Sequence, residues 1–148
     1  MGKNEDIHSF SITMKKTGPM QFLTTFDKNQ FPGLSFDEPE SAGGEDKYPN
    51  ASRVLTAAVM NCLSASLTFC LTKSKLDVEG MKATGKTYIG RNEEGYWRVQ
   101  KIEVELHPLV EGDRKRMERC VDVFKKYCVV SMSVKEGIPV ETTVKLPG

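Results

Sequence analysis

Residues 37–75 read DEPESAGGEDKYPNASRVLTAAVMNCLSASLTFCLTKSK, and the change of texture within them decides the fold. The first part, 37–49, is acidic and carries Pro39, Gly43, Gly44 and Pro49. It reads as a loop, long enough to be functional rather than a bare connector. Asn50 then offers an N-cap oxygen, and no Gly or Pro interrupts 51–75. That pattern predicts a long helix. Its apolar residues lie all round rather than along one stripe. Such a helix is covered on most sides, inside one subunit or between two. Thr56, Asn61, Ser64, Ser66 and Thr68 interrupt the apolar run of 54–71, which speaks for a core helix and against a membrane span.

Strand signals lie on both sides of this helix. Upstream, Phe10, Ile12 and Met14 alternate with polar residues, and residues 17–19 supply a turn. Residues 22–26 follow as a second strand, 27–29 as another turn, and 31–36 as a third strand. Downstream, 77–91 reads as a strand, 92–95 as a hairpin turn and 96–107 as a strand. The apolar phase switches near Gln100 and Lys101, which predicts a β-bulge. A second helix starts at Asp113, with Met117, Cys120, Val121, Phe124 and Cys128 on one apolar face. Val130, Met132 and Val134 alternate as a further strand, and 140–146 reads as the last. The class is α+β. One domain spans 1–148, with a β-rich block at 7–36, the loop at 37–49, the central helix at 50–75 and a ββαββ block at 77–147.

The composition sets bounds on function. The chain has 148 residues, 21 of them basic and 20 acidic, for a net charge of +1. This length suits one domain able to bury about two-thirds of its unfolded surface without a metal or disulfide staple. Hydrophobic residues make up 39%, too many for a solvated coil. The near balance of charge argues against a protein built to grip nucleic acid. The basic residues of the second helix alternate with Glu118 and Asp122, as on a solvated face, and no aromatic stacking strip accompanies them. Residues 1–6 are polar and no short apolar run follows, so the expected location is the cytoplasm, where cysteines remain reduced.

Four cysteines occur, Cys62, Cys70, Cys120 and Cys128, with no Cys-x-x-Cys pair and only His8 and His107 as histidines. That spacing does not build a zinc site, and no metal is expected. The acidic residues of the loop lack calcium-loop spacing. Cys62 falls about three turns into the long helix, where a cysteine is usually a small core hydrophobe. A reactive thiolate there needs a nearby cation. Cys128 is expected at the end of the second helix. A helix C-terminus disfavours negative charge, which makes Cys128 a poor attacking thiolate but a suitable resolving thiol. Cys70 and Cys120 read as core residues.

Two segments carry a resemblance. Residues 37–63, DEPESAGGEDKYPNASRVLTAAVMNCL, and 125–134, KKYCVVSMSV, are similar to the two cysteine motifs of the OsmC/Ohr family, the osmotically inducible and organic hydroperoxide resistance proteins. The order of elements agrees over nearly the whole chain. The resemblance implies antiparallel sheets wrapped around long central helices in an intertwined homodimer, with sites at the dimer interface. It implies a cofactor-free thiol peroxidase that reduces organic or lipid hydroperoxides in oxidative-stress defence. Cys62 would be the peroxidatic cysteine and Cys128 the resolving one, with an external dithiol as reductant and no nucleic-acid or membrane partner. Departures from the family pattern are plain. Ser52 stands where the family carries a Glu, ten residues before the cysteine. No Arg precedes Arg53, which leaves Lys15 and Lys16 near the place of the family's N-terminal Arg. Val129 replaces the usual Pro after the second cysteine. The thiolate-stabilising candidates are therefore Lys15, Lys16, Ser52 and Arg53. The alternative implied by these losses is a non-peroxidase relative that binds an apolar or acyl ligand at the dimer interface.

Overall fold

A computed structural model describes residues 7–148, which fall into two compact units divided after Val54. In the first unit, β1 (Thr13–Lys16) pairs antiparallel with β2 (Phe22–Thr25), and β2 with β3 (Leu34–Phe36). The turn expected at 17–19 is present, with the Thr17 N–H donating to the Gln21 carbonyl at 2.9 Å. Phe10 and Ile12 precede β1 and are exposed, so the strand starts later than their alternation predicts.

The acidic loop is organised by its own first residue. Asp37 is only 1% exposed. Its Oδ1 accepts from the N–H of Glu38 at 2.7 Å and of Glu45 at 3.4 Å. Its Oδ2 accepts from the Lys47 N–H at 3.0 Å and the Gln21 amide at 3.3 Å. Burial raises the Asp37 pKa, but these donors, the Lys47 N–H foremost, outweigh it and hold the carboxyl below its ordinary value. A 3-10 turn at Glu40–Ala42 lies within this cage. At Gly44 a Cβ would sit on the Glu38 carbonyl, so only glycine allows the loop to close.

The central helix α1 runs over Ala51–Lys73. Asn50 caps it, with Oδ1 accepting from the Arg53 N–H at 3.3 Å. By length and apolarity alone α1 could cross a bilayer, and only 22% of its apolar window is buried. The covered residues Val59, Leu67 and Leu71 spread over several turns, while Phe69 is 65% exposed.

In the second unit β4 (Asp77–Arg91) and β5 (Trp97–Glu111) form a long antiparallel hairpin. Its turn is the expected one at 92–95, with Gly95 at φ 89° and its N–H on the Asn92 carbonyl at 3.0 Å. The register passes from Tyr88↔Lys101 to Ile89↔Val99, which leaves Gln100 as the extra residue. The phase switch in the sequence thus marks a real bulge. A second shift lies between Val78 and Gly80.

Helix α2 (Arg114–Val123) starts at Asp113, whose side chain accepts from the Lys115 N–H at 3.1 Å. A 3-10 turn, Phe124–Tyr127, continues it. The core joins α1 to this segment through Leu67, Leu71, Leu76, Cys120, Phe124 and Cys128. The β4–β5 hairpin adds Val78, Met81, Leu106 and Val110 to the cluster.

The end of the chain corrects the expected ββαββ block. Residues 130–134 are not a strand but part of helix α3 (Val129–Glu136). The Met132 N–H closes the first turn on the Cys128 carbonyl at 3.1 Å. Over so short a segment Val130, Met132 and Val134 fit both periods, and packing of Met132 on the core selects the helical one. Residues 140–146 pair with no strand among the described residues, and Val140 and Leu146 are 85% and 84% exposed.

Candidate active site

The sequence placed one cysteine on α1 and another after α2, and the fold brings them together. Cys62 lies about three turns into α1 and is partly covered. Cys128 is 1% exposed. Its Sγ lies 3.9 Å from the Phe124 carbonyl and 3.7 Å from the Cys62 carbonyl, in position to donate to either. The Cys62 sulfur in turn accepts from the Val130 N–H at 3.3 Å.

That last contact reverses the electrostatic expectation for the segment. Cys128 follows the 3-10 turn, but it is also the N-cap of α3. The first N–H groups of a helix have no partner within the helix and carry partial positive charge. Val130 supplies one of them, and it points at Cys62. A strand at 130–134, as the alternation predicts, would not present this donor. A turn-initiating residue such as proline after Cys128 would have signalled the helix, and Val129 gives no such signal.

The other two cysteines also meet. Cys70 and Cys120 form a disulfide, with Cα atoms 5.7 Å apart. Their placement in the core is as expected, but they are bonded rather than free. Equal spacing accounts for this once the fold has brought Cys62 and Cys128 together. Cys62 and Cys70 are eight residues apart, as are Cys120 and Cys128, and the pairs match in opposite chain order.

The remaining candidates lie in the other unit. Lys15 and Lys16 are exposed on β1. Ser52 Oγ is 3.3 Å from Asn50 Oδ1, and the Arg53 guanidinium donates to the same oxygen at 3.1 Å, so both belong to the cap of α1. All four reside in the N-terminal unit, and both thiols in the C-terminal one.

A cavity of about 630 Å³ opens beside the thiols' elements. Leu55, Val59 and Leu63 of α1, Val99 and Ile102 of β5, and Val134 of α3 give it an apolar wall. Lys101, Lys125 and Lys135 also line it. Lys101 is paired with Glu103 at 2.9 Å; the hydrogen bond from Lys101 lowers the Glu103 pKa, and the same contact raises that of Lys101. Elsewhere, the carboxylates of Asp77, Glu79 and Glu111 gather within 4.8 Å, but all three residues are exposed.

An α+β chain with antiparallel sheets, a long central helix and a buried cysteine facing a helical one defines a class of small thiol-bearing proteins. The OsmC-like protein family matches residues 44–143, and the chain belongs to it. Solved structures agree on the fold. An OsmC-like protein of unknown function from Vibrio cholerae superposes with a TM-score of 0.74 at 13% identity, covering 87% of this chain and 95% of its own. An organic hydroperoxide resistance protein from Elizabethkingia anophelis, with thiocyanate bound, gives 0.64 at 22%, covering 88% and 91%. An organic hydroperoxide resistance protein from Legionella pneumophila gives 0.62 at 18%, covering 87% and 90%. No curated relative matches the chain.

Proposed function

We propose that this protein is a thiol peroxidase that reduces organic hydroperoxides, with Cys62 attacking and Cys128 resolving. The observation that supports it best is the approach of Cys128 Sγ to within 3.7 Å of the Cys62 backbone while a helix N-terminal N–H donates to the Cys62 sulfur. The Cys62 thiolate attacks one peroxide oxygen, the O–O bond breaks, and the alkoxide leaves and takes a proton. Cys62 becomes a sulfenic acid. The Cys128 thiol then condenses with it, forming an S–S bond and releasing water. An external dithiol restores both thiols by exchange through a mixed disulfide. The apolar cavity suits a bulky hydrocarbon tail better than hydrogen peroxide.

The working unit in this reading is a homodimer. A helix as apolar as α1 with only 22% of its window buried leaves much greasy surface for a second copy to cover. The exposed, alternating 138–146 segment has the pattern of a strand that pairs outside its own subunit. Sedimentation of the full chain at twice the chain mass is the expected result, and a monomer at micromolar concentration would remove the interface from the reading. A second reading, a relative that binds an apolar or acyl ligand without peroxidase activity, draws on the same cavity.

One equivalent of cumene hydroperoxide added to reduced protein separates the two. Blocking the remaining thiols and mapping peptides should find a rapid Cys62–Cys128 disulfide. Cys62 and Cys128 still present as thiols after prolonged exposure would refute the peroxidase and leave the ligand-binding reading.

A further inference from the structure

The two cysteine pairs are consecutive rungs between the same two segments. Eight residues of α1 separate Cys62 from Cys70, a rise of about 12 Å. Eight residues also separate Cys120 from Cys128, across the end of α2 and the 3-10 turn. The Cys70–Cys120 spacing of 5.7 Å lies inside the range that a disulfide bridges without backbone movement, about 4.4–6.8 Å between Cα atoms. Cys120 is 1% exposed, and Ser74 Oγ lies 3.3 Å from its sulfur.

A continuous chain of contacts links the rungs. The Phe124 N–H donates to the Cys120 carbonyl, and the Phe124 carbonyl lies 3.9 Å from the Cys128 sulfur. Phe124 itself is 5% exposed and packed in the core. Residues 120–128 are therefore linked by hydrogen bonds from one rung to the other. Fixing Cys120 to α1 restricts how far Cys128 can slide along Cys62.

We propose that Cys70 and Cys120 form a second redox couple, whose closure positions Cys128 against Cys62 so that the two pairs open and close with positive coupling. The inference deepens the reading of the Cys62–Cys128 site proposed above, but its test needs no peroxide turnover. Closure requires an oxidant, and a low-molecular-weight disulfide supplies it. One thiolate attacks that disulfide and expels one small thiol, and the second protein thiol then displaces the other. One S–S bond breaks and one forms, two protein thiols are oxidised, and one small disulfide is reduced to two thiols. Here Cys70 and Cys120 act as positioning residues.

The test equilibrates the full chain in glutathione buffers of graded ratio, quenches by alkylation, and maps each pair. In the wild-type chain Cys70–Cys120 should close in the more reducing buffers. In Cys70→Ser and in the Cys70→Ala/Cys120→Ala double variant, the Cys62–Cys128 pair should need an about tenfold more oxidising ratio, a coupling of the size one hydrogen bond supplies. Because Cys70–Cys120 closes first, while Cys62 and Cys128 are still thiols, Cys128→Ala should leave its midpoint unchanged, and the coupling is read on the Cys62–Cys128 midpoint. The inference is overturned if Cys70 and Cys120 stay thiols at every ratio, if Cys62 and Cys128 never pair, or if the Cys62–Cys128 pair titrates identically with and without the Cys70–Cys120 pair. Coupled pairs in a chain whose Cys62 ignores cumene hydroperoxide would keep this inference and discard the peroxidase.

Discussion

Replacing Val130 with proline tests the electrostatics of the site through a single atom. The Val130 N–H belongs to the first turn of α3, so no helical hydrogen bond depends on it, and its acceptor is the Cys62 sulfur at 3.3 Å. Proline removes this donor, and its ring also restricts Val129. Val129→Pro is the control, because proline is tolerated at the first helical position and the Val130 N–H survives. A hydrogen bond to a charged acceptor contributes roughly 1.5–3 kcal/mol. Sulfur is large and the contact long, so the lower end applies; about 1.5 kcal/mol is roughly a tenfold loss of thiolate, about half offset on a logarithmic scale by the greater nucleophilicity of the thiolate that remains, leaving roughly threefold in rate. The assay is iodoacetamide alkylation of reduced protein at neutral pH, with Cys62 followed by peptide mapping. Val130→Pro should slow Cys62 about threefold while Val129→Pro leaves its rate essentially unchanged. Equal slowing in both variants would mean that the start of α3, not the donor, governs the sulfur. No slowing in either would refute the role of the helix N-terminus altogether.

Two further outcomes test the framework around the site. Leu71 is 1% exposed at the centre of the cluster that joins α1 to Cys120 and Cys128, so Leu71→Ala should cost about 2–5 kcal/mol, read as a lower urea midpoint at unchanged slope. Asp37 has a folded-state pKa below its unfolded value of about 3.9, so its contribution to the loop is fully present above that value and is lost as pH falls through the lower folded one. The protection of the Glu45 and Lys47 amides, as the exchange rate relative to the intrinsic rate at the same pH, should therefore fall only below about pH 4, and Asp37→Asn should lack that protection already at neutral pH. Loss of protection at higher pH, or protection retained in Asp37→Asn, would contradict the assignment.

Legibility differed from element to element for physical reasons. The long helix was readable because Asn50 caps an unbroken run, and the hairpin because Gly95 meets a turn that requires positive φ. The bulge at Gln100 was readable because one extra residue flips the side-chain phase, which the sequence records directly. The segment after Cys128 was not. Eight residues with apolar groups two and four apart satisfy strand and helix alike, and only contact of Met132 with the core distinguishes them.

The sequence by itself therefore determined the α+β class, the order of elements up to α2, and the two cysteines that form the candidate site. Local propensities and periodicities suffice for the class and the order of elements; the two cysteines stand out through the resemblance of residues 37–63 and 125–134 to the family's motifs. The tertiary structure alone decided that the Val130 N–H meets the Cys62 sulfur, that Cys70 bonds Cys120, and that Asp37 holds its loop from a buried position. Each of these is a contact between residues far apart in the chain or on different elements. Its existence depends on how the elements pack, and no local pattern encodes a distance of a few ångströms between them.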